Sequence, residues 1–576
     1  MIATVYQPTP EQEAIISHDG HAFVRACPGA GKTRTMVERA RHILATPSDR
    51  RGVAFLSFTN AAVEELEARL RHLGILPSPL FPNFIGTFDR FLWQFLISPF
   101  GAEGCDQALR LVPDKSEWEV KPFNGAQPLK LKHFDRTTGT FLPAKATNTG
   151  FAPKNGPGAW EALARKLIAR ALSNGLLDFE DVRNCVANRL ADLIFSKRLG
   201  AALSGRFQEI VVDEAQDCNP ADLKIIDWLR EAGIKVKIVC DPNQAIYAFR
   251  GGLTDELLEF ADTFDSADQL RMSGNFRSSP AICAAISQLR PPASRGAVDI
   301  PIGRFKNETT PVYILAYGGA RVPATIGTQF QTFAASLGIP LGQAPVLAAT
   351  WASAKNAVGS VMPDAGNDKT LLLAEAVMGF HLAFTAGNRR EALVRLHKAV
   401  LLVRGAIPGV GAYATHLTTH GLHDGRWRPE IIAVGQALKV LAGETADHWL
   451  QRARRLLAVN LVGTSTIGQR LRSNSQLAAI LAEVSPTTLP AKAIHAVKGL
   501  EFPAVCVVLT TSTAGDILDV LHGRTSSAKQ VEEARKIYVA ASRAERLLAI
   551  AAPRSRVIAL KAVLDAGGHP CPIVTL

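Results

Sequence analysis

Ala26-Cys27-Pro28-Gly29-Ala30-Gly31-Lys32-Thr33 lies between two segments of different character. His21-Ala-Phe-Val-Arg25 before it reads as a short apolar strand, and Arg34 to about Leu44 after it reads as a helix. A glycine-rich turn running from a strand into a helix N-terminus is the setting of a phosphate-binding loop. The glycines let successive backbone N–H groups face phosphate oxygens, and the helix dipole favours the negative charge. Lys32 is placed to reach the β- and γ-phosphates of a nucleotide, and Thr33 to ligate Mg2+. The candidate nucleotide-binding set is Ala26, Pro28, Gly29, Ala30, Gly31, Lys32, Thr33 and the following Arg34. Ala26 departs from the general GxxxxGK(S/T) pattern, which begins with Gly. Upstream, Thr9-Pro10 suits the cap and first turn of a helix that carries Gln12. The Gln12 amide holds both a donor and an acceptor, as reading an adenine edge requires.

Working outward, Phe207-Gln-Glu-Ile-Val-Val-Asp213-Glu214-Ala-Gln216-Asp217 is a second strand, apolar and β-branched, ending in carboxylates. The C-terminal ends of parallel strands form the ligand edge of an open α/β sheet. There Asp213 can hold Mg2+ and Glu214 can polarise an attacking water. Lys235–Cys240 is a third strand. It runs into Asp241-Pro-Asn-Gln244-Ala-Ile-Tyr247-Ala-Phe249-Arg250, where Gln244 can sense a γ-phosphate. Tyr247, Phe249 and Arg250 combine ring and cation, which suits either core packing or stacking on bases.

Composition narrows the class. The 576 residues are 47% hydrophobic and 20% charged, which implies several globular domains. No apolar run reaches the ~18 residues of a bilayer span, since Glu375 and His381 interrupt Leu371–Phe384. The N-terminus has no basic region followed by an apolar stretch, so the expected location is cytoplasmic, with no membrane partner. Eight scattered cysteines form no CxxC pair and read as reduced thiols. A net charge of +12 fits a polyanionic partner.

With these residues quoted, the chain resembles the superfamily 1A helicases of the UvrD/Rep type. The likeness runs in order along the chain: Gln12, the AxxGxGKT form of the loop, Ser57-Phe58-Thr59-Asn60-Ala-Ala, Gly86-Thr87-Phe88-Asp89, Asp213–Asp217, Asp241–Gly252, Asn275-Phe276-Arg277-Ser278, Ile494–Phe502 and Tyr538–Ala544. The resemblance implies that Arg277 and Arg543 act as arginine fingers, so that Lys32, Asp213, Glu214, Gln244, Arg277 and Arg543 form the catalytic set. It also implies that Phe276 stacks on adenine and that Glu501 binds the ribose. Phe58, Thr59, Asn60, Thr87, Phe88, Tyr247, Phe249, Arg250 and His495 would line a single-stranded DNA path. The departures are Ala245 for Ser and Ala541-Ser542 for Leu-Thr.

The implied fold is α/β with two RecA-like P-loop domains, 1A and 2A, each carrying a mainly helical insertion. The expected division is 1–97 and 203–272 for 1A, 98–202 for 1B, 273–363 and 488–576 for 2A, and 364–487 for a small 2B. Lys121–Pro157 is loop-like and basic, either a solvated face or a DNA-facing surface. Few residues follow Arg543, leaving no room for an appended nuclease domain. The implied function is an ATP-dependent single-stranded-DNA translocase or helicase, moving 3′ to 5′ and acting at single/double-strand junctions. The alternative is a DNA-stimulated motor subunit serving a partner nuclease or repair protein, in DNA repair or antiviral defence. A non-catalytic DNA-binding scaffold is the third reading, opposed by the intact Lys32, Asp213, Glu214, Arg277 and Arg543.

Overall fold

The computed structural model describes residues 7–45, 50–76, 79–112, 115–152, 156–246, 254–296, 298–359, 368–385, 389–422, 425–481, 489–524 and 526–576. The chain forms two compact units. One comprises Met1–Phe91, Leu190–Val361 and Val484–Leu576, and the other comprises Leu92–Arg189 and Met362–Glu483.

The first unit holds two six-stranded sheets in which every neighbouring pair is parallel. The first sheet contains β1 (Ala22–Ala26), β2 (Gly52–Ser57), β3 (Phe84–Thr87), β4 (Phe207–Asp213), β5 (Lys235–Cys240) and β6 (Gln269–Met272), in the spatial order β6-β1-β5-β4-β2-β3. The second contains β7 (Tyr313–Tyr317), β8 (Val346–Ala348), β9 (Ala491–Ala493), β10 (Phe502–Val508), β11 (Ala544–Pro553) and β12 (Ile573–Thr575), ordered β9-β8-β10-β11-β7-β12. The central strands are predominantly apolar, as expected of a parallel sheet covered by helices on both faces. Ala504, Val505, Cys506 and Val507 on β10 are all fully buried.

Between the sheets the chain passes through Ser273. Its N–H and hydroxyl donate to the two carboxylate oxygens of Glu11, at 2.6 and 2.7 Å. Glu11 lies on α1 (Pro10–Ser17), one residue before Gln12. The same helix therefore touches both the connection between the sheets and, as shown below, the glycine-rich loop.

The second unit contains two insertions. Its later part is helical, including α4 (Lys369–Thr385), α5 (Arg389–Arg404), α6 (Arg428–Ala437) and α7 (Ala446–Leu457). The helix period read over 391–402 and 449–457 corresponds to α5 and α7. Trp449, Phe380, Leu396 and Leu457 close a core of their own, and the Trp449 indole donates to the Leu438 carbonyl at 2.8 Å. The earlier part opens with the π-helix Leu92–Ile97 and is α-helical only from Gly158 onward. Between the two it consists of two-residue strands and 3-10 turns packed around Trp118, Leu129, Phe134 and Trp160.

Two sequence expectations change here. Arg136, grouped with the basic loop residues, is neither solvated nor available to a polyanion. It is buried and paired with Asp178 at 2.8 Å and Asp181 at 2.9 Å, because an unpaired internal guanidinium would be costly. The expected boundary at 202–203 falls inside the helix Leu193–Arg206, which groups with the sheets through buried Leu199 and Leu203 and a Trp228-to-Ser196 hydrogen bond of 2.9 Å. No helix among the described residues is long and apolar enough to cross a membrane.

The insertion core yields a stability prediction. Trp449→Ala removes a fully buried indole and strands the Leu438 carbonyl. It should destabilise the insertion by about 3–5 kcal/mol, seen as a lower urea midpoint for its unfolding and earlier proteolysis within 368–481.

Candidate nucleotide and nucleic-acid site

The glycine-rich loop connects β1 to α2 (Lys32–Ala45). Gly29 and Gly31 both have left-handed backbones, φ +69° and +77°. At Gly29 the need for glycine is also spatial. A Cβ there would sit 2.6 Å from Arg277 Cβ and 2.7 Å from Asn275 Oδ1. Gln12 braces the loop from the other side. Its Nε2 donates to the Ala30 carbonyl at 3.0 Å, and its Oε1 accepts from the Thr9 N–H at 3.0 Å in a capping box. Both ends of the amide are thus engaged within the protein, so its observed work is to hold the loop. Ala26 and Pro28 are buried, and Arg34 is exposed and paired with Glu38.

Lys32 opens α2 and faces carboxylates. Burial acts to lower its pKa, but Glu214, Asp241 and Asp213 outweigh that and raise it. Thr33 and Asp213 line the same small cavity. Burial and the neighbouring Glu214 push the Asp213 carboxyl up. For Glu214 burial also acts upward, but Lys32, Lys498 and the Gln216 hydrogen bond prevail and hold it down. Glu214 has φ +56°, a left-handed conformation that a non-glycine residue adopts at some cost. Its N–H donates to Asp213 Oδ1 at 2.9 Å, and its carboxylate accepts from Gln216 Nε2.

From Gln216 a line of hydrogen bonds runs to the second sheet. Gln216 Oε1 accepts from the Asp241 N–H at 3.1 Å. Asp241 Oδ2 accepts from Gln244 Nε2 at 2.9 Å and from the Tyr538 hydroxyl at 3.0 Å. Gln244 Oε1 accepts from Arg543 Nη2 at 2.7 Å. Arg543 is 3% exposed, and burial followed by the charge of Arg277 pushes its pKa down to about 10. Arg277 donates to the Ser542 carbonyl at 2.9 Å and pairs with Glu501. Phe276 is partly exposed, its N–H donates to the Gly29 carbonyl at 2.9 Å, and its ring lies beside Gly31. The structure therefore brings together Lys32, Thr33, Asp213, Glu214, Gln244, Phe276, Arg277 and Arg543. It spends Glu501, read as a ribose ligand, on Arg277.

Sequence reasoning left five participants off its site: Asn275, Asp241, Tyr538 and the paired Asp217 and Lys498. Asn275 Oδ1 accepts from the N–H groups of Arg277 and Ser278 at 2.8 and 2.9 Å and so shapes the arginine turn. Lys498 Nζ donates to both Asp217 oxygens at 2.7 Å. Each lies within a recognisable motif, and that was the only signal available.

The DNA-facing candidates divide. Phe58, Thr59 and Asn60 follow β2, and Thr87 and Phe88 end or follow β3, all on the C-terminal edge of the first sheet. Phe88, placed along the DNA path by the resemblance, is fully buried. It backs Phe58, whose ring stacks on it at 5.4 Å and 20°. Thr59 and Asn60 are exposed, with Thr59 capping the helix Asn60–His72. Thr87 Oγ1 accepts from the Arg90 N–H at 3.1 Å, and His495 sits half-buried on the turn after β9. Tyr247, Phe249 and Arg250 lie outside the described residues.

Comparison with known proteins agrees with this geometry. Residues 8–265 match the UvrD/REP helicase N-terminal domain. The ATP-dependent DNA helicase PcrA of Bacillus subtilis is 26% identical over 48% of this chain and 38% of its own length. DNA helicase II of Haemophilus influenzae is 27% identical over 48% of the chain and 39% of its own length. The ATP-dependent DNA helicase UvrD2 of Mycobacterium tuberculosis is 24% identical over 95% of the chain and 78% of its own length. The chain thus aligns with about two fifths of PcrA and of DNA helicase II, and with most of UvrD2.

Gly29→Ala tests the crowding of the loop. A fluorescent ATP analogue should bind at least about tenfold more weakly, because the Cβ meets both a left-handed backbone and the turn that carries Arg277.

Proposed function

We propose, for a chain that belongs to the UvrD/REP helicases, the working cycle of an ATP-driven motor on single-stranded DNA. The observation that carries this reading is the pair Arg277 and Arg543. One is buried, the two repel each other, and both stand beside a loop built for phosphates. A triphosphate between them would relieve that repulsion and gain both charges.

In this reading Lys32 and the loop N–H groups bind the β- and γ-phosphates. Arg277 turns from Glu501 to the γ-phosphate, which frees Glu501 for the ribose. Phe276 covers the adenine. Glu214 accepts the proton of the attacking water, and Gln244 and Arg543 hold the γ-phosphate oxygens as charge shifts toward the leaving group. The adjacent half-buried carboxylates and the Thr33–Asp213 cavity suit a dication. Mg2+ held by Thr33 and Asp213 would neutralise phosphate charge. Closing and reopening of the two sheets around ATP then moves Phe58 and His495 relative to each other along the strand.

We take the free motor as the primary reading, cytoplasmic and directed 3′ to 5′ on tailed or junction DNA. Service to a partner nuclease or repair protein, including antiviral defence, is the second. ATP turnover should rise many-fold with single-stranded DNA, and Lys32→Ala and Glu214→Gln should each lower it by at least about a hundredfold. Absence of turnover with any nucleic acid would sink the free-motor reading. Streptavidin should be displaced faster from a 5′-biotinylated strand than from a 3′-biotinylated one, and the reverse would reject the direction.

A further inference from the structure

The Asp241 carboxylate is almost fully buried and accepts three hydrogen bonds. Oδ1 takes the Asn243 N–H at 3.0 Å, while Oδ2 takes both Gln244 Nε2 at 2.9 Å and the Tyr538 hydroxyl at 3.0 Å. The first two donors belong to Asp241's own loop. Tyr538 comes from the second sheet's side, on α8 (Ala528–Ala541), the helix that leads into Arg543. The tyrosine side chain is fully buried. Burial and the nearby Asp241 raise the phenol well above its usual range, so it stays a donor. Behind it Arg290 is paired with Asp299 at 2.6 Å and donates to the Tyr538 hydroxyl at 3.5 Å.

We propose that Tyr538 is a positioning residue for ATP hydrolysis, acting through Asp241 on Gln244 and Glu214. This rests on the ATP-hydrolysing reading given above. With Nε2 fixed to Asp241, Gln244 must present Oε1 to Arg543, and the 2.7 Å hydrogen bond found there is the result. With its carboxylate pinned, the Asp241 backbone N–H points at Gln216, whose other end holds Glu214. Tyr538 lies on the helix that ends just before Arg543, so the two arrive together. The orientation of the γ-phosphate sensor and the supply of the buried arginine therefore depend on one event, the approach of the second sheet. When the sheets part, Asp241 loses the tyrosine and Gln244 loses the arginine together. Hydrolysis is thereby tied to closure, and ATP binding is left to the loop, Lys32 and Phe276.

The test is steady-state ATP hydrolysis by the full chain at saturating single-stranded DNA, for wild type, Tyr538→Phe, Gln244→Ala and the double variant. Tyr538→Phe removes one oxygen and should lower kcat roughly tenfold while KM for ATP stays within about twofold. In the Gln244→Ala background the same change should cost no more than about threefold, because one of the two groups it orients is gone. Losses that multiply, a wild-type kcat in Tyr538→Phe, or a loss confined to KM would each overturn the inference. Reduced stability alone would lower the active fraction equally in both backgrounds, so it would give the multiplying result. Absence of DNA-stimulated turnover in wild type would overturn the functional reading and this inference with it.

Discussion

Lys32 is one half-buried ammonium among three carboxylates, Glu214, Asp241 and Asp213. Charges in such a setting interact far more strongly than at the surface, and any one left without a counterpart is expensive. That condition governs the surrounding backbone. The loop must bring Lys32 close to the ends of β4 and β5, so Gly29 and Gly31 take left-handed backbones. Gln12 holds the loop from outside, and Asn275 fixes the turn packed against Gly29. Glu214 accepts a strained φ of +56° because Gln216 and Lys32 secure its carboxylate. Each element looks like local detail, yet each serves the same electrostatic arrangement.

Cations from the second sheet's side meet anions at the edge of the first. Lys498 pairs with Asp217 and Arg543 lies beside the Glu214–Asp241 pair, while Arg277 pairs with Glu501 just ahead of β10. A contact of this kind is bistable. The groups are compensated when the sheets are together, and on separation water can replace the partners of the exposed ones. Arg543 is the exception. Its depressed pKa reflects burial beside another cation, a state that an anion would relieve. Glu11, clasping Ser273 from the helix that also braces the loop, links the connection between the sheets to the same site. Energy available at the phosphates thus has a short covalent and hydrogen-bonded route to the element that would bend.

The fold was readable because parallel strands in such sheets are continuous apolar runs ended by functional residues. His21–Arg25, Phe207–Asp213 and Lys235–Cys240 announced β1, β4 and β5 within a residue or so. Lys237 in the middle of β5 gave no warning of its burial, since its partner Glu209 sits on the neighbouring strand and Arg39 on a helix. Arg136 was misread for the same reason: its partners Asp178 and Asp181 lie more than forty residues away, and pairing at that distance leaves no local pattern. Phe88 differs: the resemblance places it along the DNA path with Phe58, and only packing decides that one ring supports the other. Motif letters located Asp241 and Tyr538 but could not say that one donates to the other across 297 residues.

The order of strands in the first sheet has a consequence for how ATP and DNA sites communicate. β4 lies between β5 and β2, with Leu56 paired to Val212. Asp213 and Ser57 therefore end neighbouring strands and line one cavity with Thr33. Phe58 follows directly, already pressed against Phe88. On the proposed reading, a shift of Asp213 toward a bound dication would be transmitted through one strand pairing to the ring proposed to meet bases. Close-packed interiors do not absorb such a shift over a single strand spacing of about 4.8 Å. On the proposed reading, coupling between phosphate and base needs no long pathway. The two sites are consecutive positions on one sheet edge, and the second sheet supplies the charge that decides which arrangement is held.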